Sequence, residues 1–324
     1  MSRALSILTG VLVLQIILYV VVSSDPSRDV TKMPFLSVDT TEIDYIKIRN
    51  EQGELVMNRV GVNWHIQEPV QYPANRDYMN TLLNRINEMT IETRVTSNPD
   101  RFQLYGLDDL GAKYVEVGKQ GANIDKFYSG KSNESYTHTY VRYADSKDVY
   151  LVTGTPGVTF SRKPEDWRDK RIWNIERSEV ESILIKHPNQ DIEVVRTIVK
   201  PDADPFAPTD TTWWATPEKK ESFQVDSKAI NRIFNTLRRF NAADFRDEGR
   251  DEIPDFDKAE LRIEVLLQGG YKETMDFLPL EEDENRWLAR RNDESKTIFV
   301  VFKSSVNNLM RTEEQLRGTE DAAS

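Results

Sequence analysis

Two stretches decide the fold: NRDYMNTLLNRINEM at residues 75–89 and DSKAINRIFNTLRRF at residues 226–240. Each opens with a short polar side chain, Asn75 or Asp226, of the type that accepts the amide hydrogens left free in a first helical turn. Met79, Leu82, Leu83, Ile86 and Met89 then follow at steps of three and four, and Ile230, Ile233, Phe234, Leu237 and Phe240 follow at the same steps. Such spacing puts the apolar side chains on one stripe of a helix, and the stripe has to be buried against another layer. Cap and stripe recur with identical offsets, so the chain reads as one unit duplicated.

Strand patterns flank both helices in the same order. Upstream of the first come Ile46-Lys-Ile, a turn at Glu51-Gln-Gly, a strand at 55–60 and a tryptophan strand at 63–66. Upstream of the second come Ile183-Leu-Ile, a turn at Asn189-Gln, a strand at 192–199 and Thr212-Trp-Trp-Ala. The stretch PDADPFAPTD at 201–210 has the proline and aspartate content of a surface loop. Downstream, 113–118 matches 260–267, 125–128 matches 271–277, 139–143 matches 287–290 and 149–152 matches 298–302. Gly121 and the Gly269-Gly270 pair suit the intervening turns. The expected class is α+β, with two tandem repeats at 41–175 and 176–318, each a mainly antiparallel sheet packed against one long helix, and a disordered tail at 319–324.

Residues 4–22 read ALSILTGVLVLQIILYVVV without a charge, which at about 1.5 Å per residue is long enough to cross a bilayer. A cleaved signal peptide has a shorter apolar core and a small-x-small site, so residues 1–23 are read as an uncleaved transmembrane signal anchor. Arg3 precedes the stretch and no acidic residue does, which places the head in the cytoplasm and the globular part on the periplasmic or extracytoplasmic side of an inner (cytoplasmic) membrane. Residues 24–40, with two prolines and no apolar period, are read as a tether.

A net charge of -11 with cations scattered among acids argues against nucleic acid as a partner. The absence of cysteine excludes disulfides, thiolate metal sites and a thiol nucleophile. His65, His138 and His187 show no ligand spacing, no Gly-x-Ser-x-Gly elbow is present, and Gly130-Lys131-Ser132 lacks the rest of a phosphate loop. Asp244, Asp247, Glu248, Asp251, Glu252, Asp255 and Asp257 miss the alternation of a calcium loop and read as a solvated connection. No catalytic residue, metal site or cofactor is therefore expected. The segment Trp167-Arg-Asp-Lys-Arg-Ile-Trp173 marks Trp167, Arg168, Arg171 and Trp173 as an interface: docking between the repeats is the preferred reading, a partner contact the alternative.

Several of these segments resemble the domain-of-unknown-function 4340 (DUF4340) family: Arg101-Phe-Gln-Leu-Tyr-Gly-Leu-Asp-Asp, the strand at 114–117, Tyr140-Val-Arg-Tyr, Val149-Tyr-Leu-Val, Trp64 with Pro69, and Trp167-Arg-Asp-Lys-Arg-Ile. The family is similar in layout to membrane-anchored auxiliary components of gliding-motility-type ABC transport systems. That resemblance implies a non-enzymatic accessory or scaffold subunit, with integral membrane transporter subunits or other envelope proteins as partners. An envelope glycan-binding module is the alternative, and an envelope hydrolase a third reading.

Overall fold

A computed structural model describes residues 12–15, 33–36, 39, 41–119, 122–199, 210–247, 249, 251–292 and 296–318. The chain divides into two compact units, Met1–Asp169 and Lys170–Ser324, so the division falls inside the tryptophan segment at 167–173.

In the first unit the strands are β1 (Met33–Pro34), β2 (Tyr45–Asn50), β3 (Gly53–Val60), β4 (Asn63–Glu68), β5 (Tyr72–Pro73), β6 (Thr90–Thr96), β7 (Lys113–Lys119), β8 (Ala122–Ser132), β9 (His138–Tyr143) and β10 (Val149–Thr153). They form one sheet in the order β1-β6-β10-β9-β8-β7-β2-β3-β4-β5, with neighbours antiparallel throughout. Helix α1 (Arg76–Asn87) starts where the spacing predicts, with the Asn75 side chain accepting from the backbone N–H groups of Asp77 and Tyr78. Its Met79, Leu82 and Ile86 are buried with Ile46, Met57 and Val117 from the strands. A short helix α2 (Pro156–Phe160) adds Phe160 to the same core.

The second unit contains β11 (Arg171–Trp173), β12 (Val180–Lys186), β13 (Asp191–Val199), β14 (Asp210–Pro217), β15 (Phe223–Gln224), β16 (Phe240–Asn241), β17 (Asp244–Asp247), β18 (Leu261–Leu267), β19 (Lys272–Pro279), β20 (Arg286–Arg291) and β21 (Thr297–Phe302). Helix α3 (Ser227–Arg238) follows β15, and α4 (Lys303–Leu309) and α5 (Glu313–Arg317) follow β21. Its nine-stranded sheet runs β15-β14-β13-β12-β18-β19-β20-β21-β17. Read from the corresponding edge, the first sheet runs β5-β4-β3-β2-β7-β8-β9-β10-β6 before ending in β1. Chain order and spatial order therefore coincide strand for strand between the units, and a twelve-residue helix occupies the same place in each. Asp226 caps α3 as Asn75 caps α1, and Trp213 packs on Phe234 with ring centroids 4.7 Å apart.

The expected class needs correction. Strand far outweighs helix, and each unit is a broad antiparallel sheet that one amphipathic helix covers only in part, so the fold is mainly β and not α+β. The excess comes from stretches read as connections. Thr90–Thr96 is TIETRVT, rich in β-branched residues that suit a pleated surface, and Asp244–Asp247 pairs with β21 although it begins the acidic run. Part of the tether is also structural: Met33–Pro34 pairs with β6, and Phe35, 1% exposed, stacks on Tyr143 at 4.5 Å.

The N-terminal transmembrane helix is overturned as well. A crossing needs about 20 apolar residues, and among the described residues no helix is long and apolar enough to cross a membrane. The single-pass inner-membrane localisation built on that helix falls with it. Only residues 12–15 of the apolar stretch are described, as helix; its remainder, the loop at 201–209 and the tail at 319–324 lie outside the described residues.

Candidate functional site

Alternation along the strands of the first unit gives one buried face and one polar face. Ile46, Ile48, Val115, Val117, Phe127 and Val141 point inward, so Tyr45, Lys47, Arg49, Tyr114, Glu116, Lys126, Tyr128, Tyr140 and Arg142 occupy the outward positions of four adjacent strands. Register then aligns one row across them: Arg49 of β2 stands opposite Tyr114 of β7, Tyr114 opposite Tyr128 of β8, and Tyr128 opposite Arg142 of β9. The row is in contact along its whole length. The Arg49 guanidinium lies 5.0 Å from the Tyr114 ring centroid, the two tyrosine rings are 5.2 Å apart, and the Arg142 guanidinium lies 4.0 Å from the Tyr128 centroid. Cross-strand pairs of this kind gain from ring quadrupoles attracting the cations.

A 3-10 turn, Pro99–Tyr105, closes one end of the row. The Asn98 side chain accepts the Asp100 N–H at its start, and Gly106 ends it in the left-handed region at φ 63°. Gly130 in β8 lets the turn sit directly against the sheet, because a Cβ there would collide with the carbonyl oxygen of Tyr105. The turn carries Phe102 to 4.6 Å from the Arg142 guanidinium, which thus lies against two rings, and Tyr105 to 4.7 Å from Tyr140. At the other end Arg49, Asn50, Asp109, Leu110, Tyr114 and Tyr128 line a cavity of about 360 Å³, with Leu110 84% exposed on its rim.

Glu116 organises the neighbouring row. It accepts from the Tyr114 hydroxyl at 2.7 Å and the Tyr45 hydroxyl at 3.4 Å, and it lies 3.9 Å from the Lys126 ammonium. Burial, reinforced by the hydrogen bond to Glu116 and its charge, pushes Tyr114 well above the usual phenol range, and Tyr45 is raised by the same causes. Lys47 pairs with Glu54 at 2.7 Å. Among the described residues, by contrast, neither Arg49 nor Arg142 is matched with a carboxylate, and the buried Nε of Arg142 has no partner.

The four residues singled out in the sequence are distributed over the two units. Trp167 and Arg168, 1% and 2% exposed, belong to the first, where Trp167 meets Tyr78 edge-on and Arg168 lies over Tyr72. Trp173, 2% exposed, belongs to the second and donates its ring N–H to Glu273, which also receives two hydrogen bonds from Arg291. Arg171, beside it in β11, is exposed. His65, His138 and His187 lie on or beside β4, β9 and β12, and His187 Nε2 donates to the Arg311 carbonyl. Among the described residues no group of three His, Asp or Glu is placed to hold a metal ion.

Sequence reasoning missed the row from Arg49 to Arg142. Its signal was present in the tyrosines and arginines at alternate positions of predicted strands, but which of them meet is a property of register between strands distant in the chain. Phe102, Tyr105, Tyr114, Tyr140 and Arg142 all belong to the segments that carried the family resemblance, and the fold brings them to one face. No curated protein and no solved structure matches the chain. A family model does match, over residues 64–261, which takes in every member of the face from Phe102 to Arg142 and leaves Arg49 upstream. By that match the chain belongs to the family described as domain of unknown function (DUF4340).

Proposed function

We propose that this chain is a non-enzymatic accessory or scaffold subunit and that the outward face of its first unit holds a protein partner. The row Arg49-Tyr114-Tyr128-Arg142 carries this reading. Tyrosine and arginine are the side chains that supply most energy at protein interfaces, and rings already fixed by their neighbours lose little freedom when a partner docks. Subunits of a transport complex are the first partners to test, following the resemblance. A glycan platform would need open ring faces, whereas the faces of Tyr114 and Tyr128 already carry guanidiniums. A hydrolytic role for Tyr114 runs against its raised ionisation, since a base or nucleophile needs the anion within reach of neutral pH.

The test is a photo-crosslinking residue at Lys126, on the face, compared with one at Asn80, exposed on α1. A discrete adduct with one protein from Lys126, absent from Asn80 and lost on Arg142→Ala, is the expected result. Equal adducts from both positions, or none from either, would end the proposal.

A further inference from the structure

The same face shows what kind of partner it fits, an inference that rests on the protein-binding reading above. Its outward cations are Lys47, Arg49, Lys126 and Arg142; Glu54 and Glu116 stand among them, Glu68 lies close enough to act on Tyr45, and Glu51 and Asp109 line the cavity beside Arg49. The two lysines are each matched with a carboxylate, Lys47 with Glu54 and Lys126 with Glu116. Of these four cations the two arginines are the ones without an ion pair among the described residues.

Both guanidiniums lie over rings, Arg49 over Tyr114 and Arg142 over Tyr128 and Phe102. A guanidinium lying over a ring keeps N–H groups at its edge for an acceptor, the geometry in which a carboxylate is taken by two parallel hydrogen bonds, and in Arg142 one of them, on Nη1, already donates to the Tyr143 carbonyl at 3.5 Å. The Nε of Arg142 is buried without an acceptor, so the fold leaves the hydrogen-bonding capacity of this guanidinium incompletely used. Three strand intervals separate Arg49 from Arg142, roughly 14 Å at the ordinary interstrand spacing, and an extended segment covers that distance in about four residues.

We propose that the face binds an extended acidic protein segment running across the strands, with two carboxylates about four residues apart seated on Arg49 and Arg142 and its backbone lying over Tyr114 and Tyr128.

The experiment titrates the full-length protein with a ten-residue peptide carrying glutamates at positions three and seven of a Ser/Thr/Ala frame, read by calorimetry. Binding is expected, weakened at least tenfold when both peptide glutamates become glutamine, and weakened comparably when they are moved to positions three and four. Arg49→Gln with Arg142→Gln in the protein should have the same effect. The peptide changes leave the protein fold untouched, so they decide the matter even if the double variant is unstable. Equal binding of the glutamine peptide, indifference to spacing, or stronger binding of heparin or an oligonucleotide at the same salt concentration overturns the proposal. If the peptide fails while the Lys126 crosslink persists, the carboxylate specificity is wrong and the protein-binding face stands; if both fail, the face is not an interface.

Discussion

At the residue scale, small changes have sharply different expected costs. Gly130→Ala would force the turn at Pro99–Tyr105 away from β8, with a loss of about 1–3 kcal/mol, the usual range for an overpacked site, and with Phe102 withdrawn from Arg142. A chemical denaturation curve measures it, and an unchanged midpoint would mean the close approach of Tyr105 and Gly130 is not structural. Tyr114 gives a pH-dependent signature. Its folded ionisation lies above the unfolded value near 10, so its contribution to stability is complete below that pH and is lost as pH rises through the folded value. An alkaline absorbance titration should show a late group of phenols, Tyr114 together with Tyr143, Tyr45 and Tyr150, and Tyr114→Phe should reduce the amplitude of that late phase by one phenol. The site is only partly legible in the sequence for a reason that belongs to this scale: a tyrosine at an outward strand position looks the same whether its neighbour across the sheet is an arginine or an alanine.

At the element scale the two capped helices were the clearest signals, because Asn75 and Asp226 and their stripes lie within fifteen consecutive residues and need no knowledge of the rest of the chain. Asn75→Ala and Asp226→Ala should each cost about 1 kcal/mol through two lost backbone acceptances, and Leu82→Ala about 2–5 kcal/mol through a cavity under α1. Thermal melts of the three variants rank these terms, and a cap variant costing as much as Leu82→Ala would contradict the assignment. The sheet of the second unit carries its own polar face. Glu264 on β18 accepts from Lys186 on β12 and Lys272 on β19, while Arg262 and Arg290 flank Asp276, 3% exposed on β19. Burial pushes Glu264 up, but the two ammonium hydrogen bonds outweigh it and hold the group below the ordinary carboxylate range. Stability from this ladder is therefore present above the unfolded carboxylate pKa and disappears as pH falls through the folded one. Glu264→Gln should flatten the acid limb of a stability–pH profile. Strands such as Thr90–Thr96 were harder to read than the helices, since a strand's partner, and so its reason to exist, lies far along the chain.

At the scale of the whole molecule, the coincidence of strand order between the units means that each contains every element needed to close its own core. Residues 170–318 produced alone should give a β-type circular dichroism spectrum and a single cooperative melt; a broad, featureless transition would show that the second unit does not fold independently. The duplication was visible in the sequence through its helices, while the predominance of sheet was not, because edge pairings of two to seven residues leave almost no periodic trace. Those edges have a consequence of their own. Among the described residues the ten-stranded sheet ends in Met33–Pro34 on one side and Tyr72–Pro73 on the other. Proline has no amide hydrogen to offer, and a two-residue strand gives an incoming chain almost nothing to zip against. So wide a sheet would otherwise invite its own copies to join end to end into fibrils, and a proline at each margin, with residues 167–169 laid along the second, opposes that growth.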